Sequence, residues 1–204
     1  MAVLLLSCES HSYDTGDGEL SYMRADYADI MVMHGRVDYT LTDEGEELLL
    51  PAYCDSLVAN YQDTILRRLL YYNKGTREIE LLKMEEVKIL SPSTPEKIGD
   101  MKRDPLTLYS IWKAKNQRYI NMSLGVKTGS AAPEDAVQIL ALSIDSVHSA
   151  DKGRAYLSLR HEQGDVPQYY TRKVLVSMPY PKQDTVTITV NTYKGPEEHT
   201  FIWK

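Results

Sequence analysis

The chain reads as an all-β protein in which a five-stranded, OB-like barrel is followed by an immunoglobulin-like β-sandwich. Three observations predict this. Apolar residues recur with the period of two that strands require, through most of the 204 residues. Gly, Pro and Asx turn residues interrupt the pattern at hairpin-like intervals. The stretch Ser91-Pro92-Ser93-Thr94-Pro95, an extended linker by composition, separates two parts of opposite charge. Residues 1–100 hold 19 acidic and 9 basic side chains, residues 101–204 hold 10 and 14. Such asymmetry suggests two units whose surfaces attract across a junction, or two independently solvated surfaces. The composition, 43% apolar and 25% charged with a net charge of −6, excludes a disordered or collagen-like chain. No apolar run approaches the roughly 20 residues of a membrane-spanning helix. The acidic total argues against a nucleic-acid partner, whose binders carry a basic face.

The chain opens Met1-Ala2-Val3-Leu4-Leu5-Leu6-Ser7-Cys8 and turns polar at Glu9. Leu5-Leu6-Ser7-Cys8 has the pattern of a bacterial lipobox, in which a small residue precedes a cysteine that is acylated and becomes the new N-terminus. The apolar run is shorter than the usual 7 to 15 residues and a basic n-region is missing. The segment therefore reads as the tail of a signal peptide whose initiating methionine lies upstream. A short buried strand with an ordinary cysteine is the competing reading. On the first reading, residues 1–17 are signal remnant, lipobox and tether, with lipid attached at Cys8. The second cysteine, Cys54, has no CxxC partner for a metal knuckle and reads as apolar filler.

Residues 18–92 form the barrel unit. Glu19 to Asp26, Ile30 to Asp38, Glu46 to Leu50, Thr64 to Asn73 and Glu78 to Leu90 read as strands. Gly35, Asp43-Glu44-Gly45, Pro51 and Asn73-Lys74-Gly75-Thr76 supply the turns. Five strands without a convincing helix suit a small closed or partly open barrel. Residues 93–204 form the sandwich unit. Ile120 to Val126, Val137 to Ala141, Ala155 to Leu159, Val174 to Met178 and Val186 to Val190 alternate as half-buried antiparallel strands do. Leu106 to Trp112 and His199 to Trp203 bring the count to about seven, as in an immunoglobulin-like sandwich. Asp104-Pro105 could also start a helix with Leu108, Ile111 and Trp112 on one face; the surrounding strands favour a strand there.

The search for chemistry yields no catalytic residues, no metal site and no cofactor motif. His11, His34, His148, His161 and His199 have no second His or Cys at ligand spacing, and His161 and Glu162 point to opposite faces of a strand. Glu44, Glu46 and Glu47 could hold a hard cation at a turn, or be a solvated hairpin tip. GxSxG and phosphate-cradling glycine loops are missing. Aromatic usage is distinctive: 15 Tyr, 2 Trp and 1 Phe, rings with polar handles that suit half-wet interfaces. In Tyr71-Tyr72 and Tyr169-Tyr170 one ring falls on each side of a strand, and Tyr72, Tyr169 and Tyr170 are the candidates for stacking on a sugar or lining a partner surface. Core packing between strands is the competing explanation.

Several stretches together resemble one family. They are Gly18-Glu19-Leu20-Ser21-Tyr22-Met23-Arg24-Ala25-Asp26, Leu70-Tyr71-Tyr72-Asn73, Lys102-Arg103-Asp104-Pro105, Tyr119-Ile120-Asn121-Met122-Ser123-Leu124, the run from His161 to Tyr170, and Asn191-Thr192-Tyr193. In this order they resemble the NigD-like lipoproteins, over nearly the whole chain. The resemblance implies an N-terminal OB-type domain, a C-terminal β-sandwich and an envelope location in Gram-negative anaerobes. The family takes its name from a bacteriocin gene cluster, and it supplies no catalytic residue to carry over. It also draws attention to Asp55-Ser56-Leu57, Asp63-Thr64-Ile65, Asp145-Ser146-Val147 and Asp184-Thr185-Val186. These resemble the Asp-Ser/Thr-apolar acceptor for O-glycosylation of exported proteins in bacteria bearing such lipoproteins, making Ser56, Thr64, Ser146 and Thr185 candidate sites. Turn and strand-start chemistry of Asp-Ser and Asp-Thr pairs is the alternative. The expected function is a non-catalytic outer-membrane lipoprotein, held by a lipid anchor, that binds a protein or glycan partner. An envelope hydrolase with its site in the inter-domain cleft is the alternative.

Overall fold

The computed structural model describes residues 23–75, 77–129, 136–148, 153–180 and 182–203; Cys8 and the lipobox lie outside them. The first sheet begins with a hairpin. β1 (Met23–Met33) turns through His34-Gly35 into β2 (Arg36–Thr42), with φ of 52° and 74° at the two turn residues. Two positive φ angles give the twist that suits a two-residue hairpin. β3 (Thr64–Asn73) pairs antiparallel with β1 from Met23↔Asn73 to Val32↔Thr64, and β4 (Glu80–Glu86) pairs with β3. The sheet order is β2-β1-β3-β4.

The expected barrel is corrected here to an open, four-stranded sheet among the described residues. The expected strands 19–26 and 30–38 overlie one long strand and its hairpin partner. The expected strand 46–50 forms no ladder. It makes one bridge, Leu41↔Glu47, accepts a bond from the Ile79 N–H at Leu49 O (3.1 Å), and donates from the Leu48 N–H to Thr40 O (2.9 Å). The segment thus lies across the gap between β2 and the start of β4 without filling it. Pro51 has no N–H with which to extend the pairing, and the chain enters a single helical turn, α1 (Cys54–Val58).

β5 (Lys88–Ile89), α2 (Pro95–Ile98), β6 (Thr107–Lys113), β7 (Tyr119–Thr128), β8 (Ile139–His148), β9 (Arg154–Glu162), β10 (Tyr170–Pro179), β11 (Thr185–Thr192) and β12 (Gly195–Ile202) follow. They make two further four-stranded sheets, β5-β10-β7-β6 and β12-β11-β9-β8. The strand reading of Leu106 to Trp112 holds, as β6. Ile120, Met122, Leu124 and Val126 of β7, with Val174, Val176 and Met178 of β10, pack against Leu157 and Leu159 of β9 and Val186, Ile188 and Val190 of β11. The all-antiparallel, immunoglobulin-like expectation meets two parallel pairs, β5 with β10 and β9 with β11. Alternation says which side chains face inward but not which sheet receives the strand. β10 crosses to the opposite sheet between β9 and β11, so β11 re-enters beside β9 running the same way.

The three sheets stack as layers, because two of them are buried on both faces. On β1 and β3, Ala28, Ile30, Val32, Leu66, Leu70 and Tyr72 meet Leu48, Leu50, Cys54 and Val58. The opposite face, through Tyr27, Leu69 and Tyr71, meets Val87 and Leu175 of the next layer. On β7, Tyr119, Asn121 and Ser123 are buried on the face turned away from the sandwich core.

Candidate functional site

Ionisable groups do converge where the first sheet meets the second, but all except Arg118 at the rim are sealed in protein. Arg67, fully buried on β3, donates from Nη1 to Asp29 Oδ1 (3.2 Å), and from Nη2 to both Asp43 oxygens (2.7 and 2.6 Å) and Asn121 Oδ1 (3.1 Å). Its Nε donates to Ser177 Oγ at 3.2 Å. The Tyr119 ring caps the guanidinium, with Cζ 4.0 Å from the ring centroid. Asn121 Nδ2 donates to Asp43 Oδ2 (2.7 Å), and the Ser177 hydroxyl to Asn121 Oδ1 (2.6 Å). Arg118 Nη1 lies 3.0 Å from Asp29 Oδ2. Two arginines face two aspartates, so the cluster is neutral and its Arg67 donors are taken. Burial pushes the neighbouring Tyr27 hydroxyl up to about 12, which keeps it an uncharged wall. No sequence signal marks Arg67, one of two consecutive arginines.

Other ionisable candidates are likewise engaged. Glu44 pairs with Lys115 (2.5 Å), and Glu46 with Lys74 (2.5 Å) and Arg24 (3.3 Å), so the acidic turn splits outward rather than converging on a cation. Among the described residues no cluster of His, Cys, Asp or Glu could hold a metal ion. Cys54 is buried, and desolvation raises its thiol pKa. His161 is buried at the end of the sandwich core. Its Nδ1 stands 3.2 Å from the Asp104 carbonyl oxygen, which can only accept, so Nδ1 carries the proton. Nε2 has no partner, and burial lowers the pKa of the ring. A groove of about 950 Å³ runs beside β2 between Tyr39, Leu49 and Glu78. Its Asp55 already accepts the Val37 N–H at 2.9 Å.

The tyrosine candidates separate. Tyr72 is 0% exposed, and its hydroxyl donates to Asp26 Oδ2 at 2.8 Å. Its role as a partner-binding residue is corrected to a core one, because its strand is covered on both sides. Tyr169 and Tyr170 are 75% and 53% exposed and alternate across β10. The structure does not bring them together. Tyr169 instead shares a face with Tyr109 of β6, which is 55% exposed and which sequence reasoning missed. Both rings lie over glycines. A Cβ on Gly125 would stand 2.8 Å from the Tyr109 hydroxyl oxygen and 2.8 Å from Thr171 Cγ2; one on Gly129 would stand 2.7 Å from Tyr169 Cδ2. Lys127, opposite Thr171, and Lys173, opposite Gly125, occupy the same face. Glu85 and Glu86 line a groove of about 440 Å³ beside Lys173.

Of the candidate acceptor hydroxyls, Ser56 is exposed on α1 and donates to Tyr53 O at 2.7 Å. Thr64, Ser146 and Thr185 are half-buried within β3, β8 and β11.

The family model of the NigD-like C-terminal beta sandwich domain matches residues 86–202. Among solved structures, the chain resembles a protein named provisionally as toxin-related from Parabacteroides distasonis, with a TM-score of 0.68 and 16% identity over 89% of this chain and 93% of that one. It also resembles a NigD-like immunity protein from Bacteroides caccae (0.65, 18%, 89% and 97%) and a protein named provisionally as a lipoprotein from Bacteroides fragilis (0.63, 14%, 89% and 98%). No curated protein matches the chain in sequence. At these identities the likeness shows a shared fold.

Proposed function

Because the chain belongs to the NigD-like family, we propose that it is a non-catalytic lipoprotein of the outer membrane, anchored through Cys8, that presents a rigid β-scaffold to a protein or glycan partner. The observation that carries this reading is the junction. Its charged groups neutralise one another inside protein, where they fix the two units in one geometry and leave exposed tyrosines as the groups that meet a partner. A hydrolase in the cleft would need those carboxylates and arginines free to reach a substrate. We read the first sheet, with the segment 46–50 lying across its gap, as a partly open OB-like unit, and the remaining two sheets as the sandwich unit. The anchor rests on Leu5-Leu6-Ser7-Cys8 and agrees with the name given to the Bacteroides fragilis relative. Ser56, the exposed member of the four acceptor tripeptides, is the preferred O-glycosylation site, ahead of Thr64, Ser146 and Thr185.

Two measurements test this. Several acyl chains on one residue hold a protein stably, so Cys8→Ala, expressed from the upstream start, moves the chain from the membrane to the soluble fraction. Retention equal to the parent's overturns the anchor. Labelled chain added to envelope vesicles of the producing cell binds saturably, and the binding is abolished by periodate for a glycan partner or by protease for a protein. Lack of saturable binding overturns the partner.

A further inference from the structure

We propose that the face of the middle sheet carrying Tyr109 and Tyr169 is a binding platform for an anionic oligosaccharide; this rests on the partner-binding reading above and names its site and ligand class. Gly125 and Gly129 leave the β7 backbone bare on the face turned away from the sandwich core, and the two rings lie against that bare backbone. Any side chain at either glycine would lift a ring off the sheet. Each ring therefore has edge atoms close over a glycine, Oη and Cε2 for Tyr109 and Cδ2 and Cε2 for Tyr169, and is otherwise open to solvent, at 55% and 75% exposure. The two glycines are four residues apart, roughly 13 Å along the strand, the span of a short chain of sugars rather than of one.

Charge decides the class of saccharide. Lys127 lies between the two glycines and Lys173 stands directly across from Gly125, on the same face. Neither ammonium has a carboxylate at ion-pair distance among the described residues, whereas Lys74, Lys83 and Lys115 each have one. Glu85 and Glu86 bound the platform beyond Lys173 and limit it to the segment between the rings. An extended peptide would seek unpaired strand edge, but β7 is bonded by β10 up to Thr128 and by β6 up to Gly125, and beyond that the Lys127 carbonyl is taken by the Gln138 and Gln163 amides. A folded protein partner would seek a pocket for an anchor residue, whereas both rings stand more than half exposed on the sheet surface. A sugar ring, apolar on its face and polar at its rim, finds a ring face to stack on and ammonium donors for carboxylates.

The test is calorimetric titration of the full chain with hexagalacturonate and, as the neutral control, maltohexaose. Hexagalacturonate binds, and Tyr109→Ala and Tyr169→Ala each weaken it about tenfold, in line with loss of one aromatic stacking partner. Tyr109→Phe and Tyr169→Phe keep the affinity, which separates stacking from misfolding. Equal affinity in parent and Ala variants, equally tight maltohexaose, or no hexagalacturonate binding overturns the platform. If hexagalacturonate is not held while periodate still releases the chain from envelope vesicles, only the platform falls; if vesicle binding is also lost, the partner-binding reading falls with it.

Discussion

His161 occupies the end of the sandwich core with one ring nitrogen bonded and the other facing nothing. Burial lowers its pKa, opposed by the bond and charge of Asp104, so the folded ring takes up a proton only at lower pH than an unfolded one. The unfolded chain takes up a proton near pH 6.5 that the folded one refuses. Stability is therefore full above about pH 6.5 and falls as the pH drops below it. Melting temperatures between pH 7.5 and 5.5 should decline more steeply in the parent than in His161→Gln, whose amide can still donate to Asp104 O. Parallel slopes would sink this account. The residue scale is also where the sequence was hardest to read. Tyr72 and Tyr169 look alike in their Tyr-Tyr pairs, yet one is core and one is surface. Alternation assigns a face, and it cannot say that β3 is covered on both. Tyr109 gave no signal of its own; Gly125, within a strand, and Gly129, just past its end, were the readable hint.

The β1–β2 hairpin shows what decides an element. Gly35 has φ of 74°, and a Cβ there would stand 3.0 Å from the carbonyl oxygen of Ala59. Gly35→Ala therefore costs about 1–2 kcal/mol for the left-handed backbone, with the contact added. Urea unfolding should show the loss as a lower midpoint at unchanged slope; an unchanged midpoint would contradict it. The strand at 30–38 was drawn through this turn because His34-Gly35 lacks the Asn or Asp that usually announces two positive φ angles. The strands of the second half were legible for the opposite reason. Each has one face on the sandwich core and a turn residue at its end, so its period survives in the sequence. Their sheet partners were not legible, since β5 and β11 pair in parallel with strands distant in sequence.

At the scale of the molecule, the charge difference between the halves allowed either an electrostatic junction or two independently solvated surfaces, and the charged groups found at the junction do not follow that division. The cation at the centre, Arg67, comes from the acidic half itself, with Arg118 and Lys115 reaching over from the basic one. Salt screens exposed charges over roughly 10 Å at 0.1 M and buried ones far less. Small-angle scattering should thus give the same dimensions in 0.05 M and 1 M salt, and expansion at high salt would show that exposed pairs hold the halves. Arg67→Met, which leaves buried Asp43 without a cation and Asp29 with Arg118 alone, should lower stability by about 3–5 kcal/mol. The same cluster sets a clock. Ser177, which accepts from Arg67, follows it by 110 residues, so the two are delivered well apart in time to the compartment where an exported chain folds. Throughout that interval the first sheet waits with a charged residue on a face that nothing yet covers, so the early half of the chain stays pliable until the late half arrives to close it.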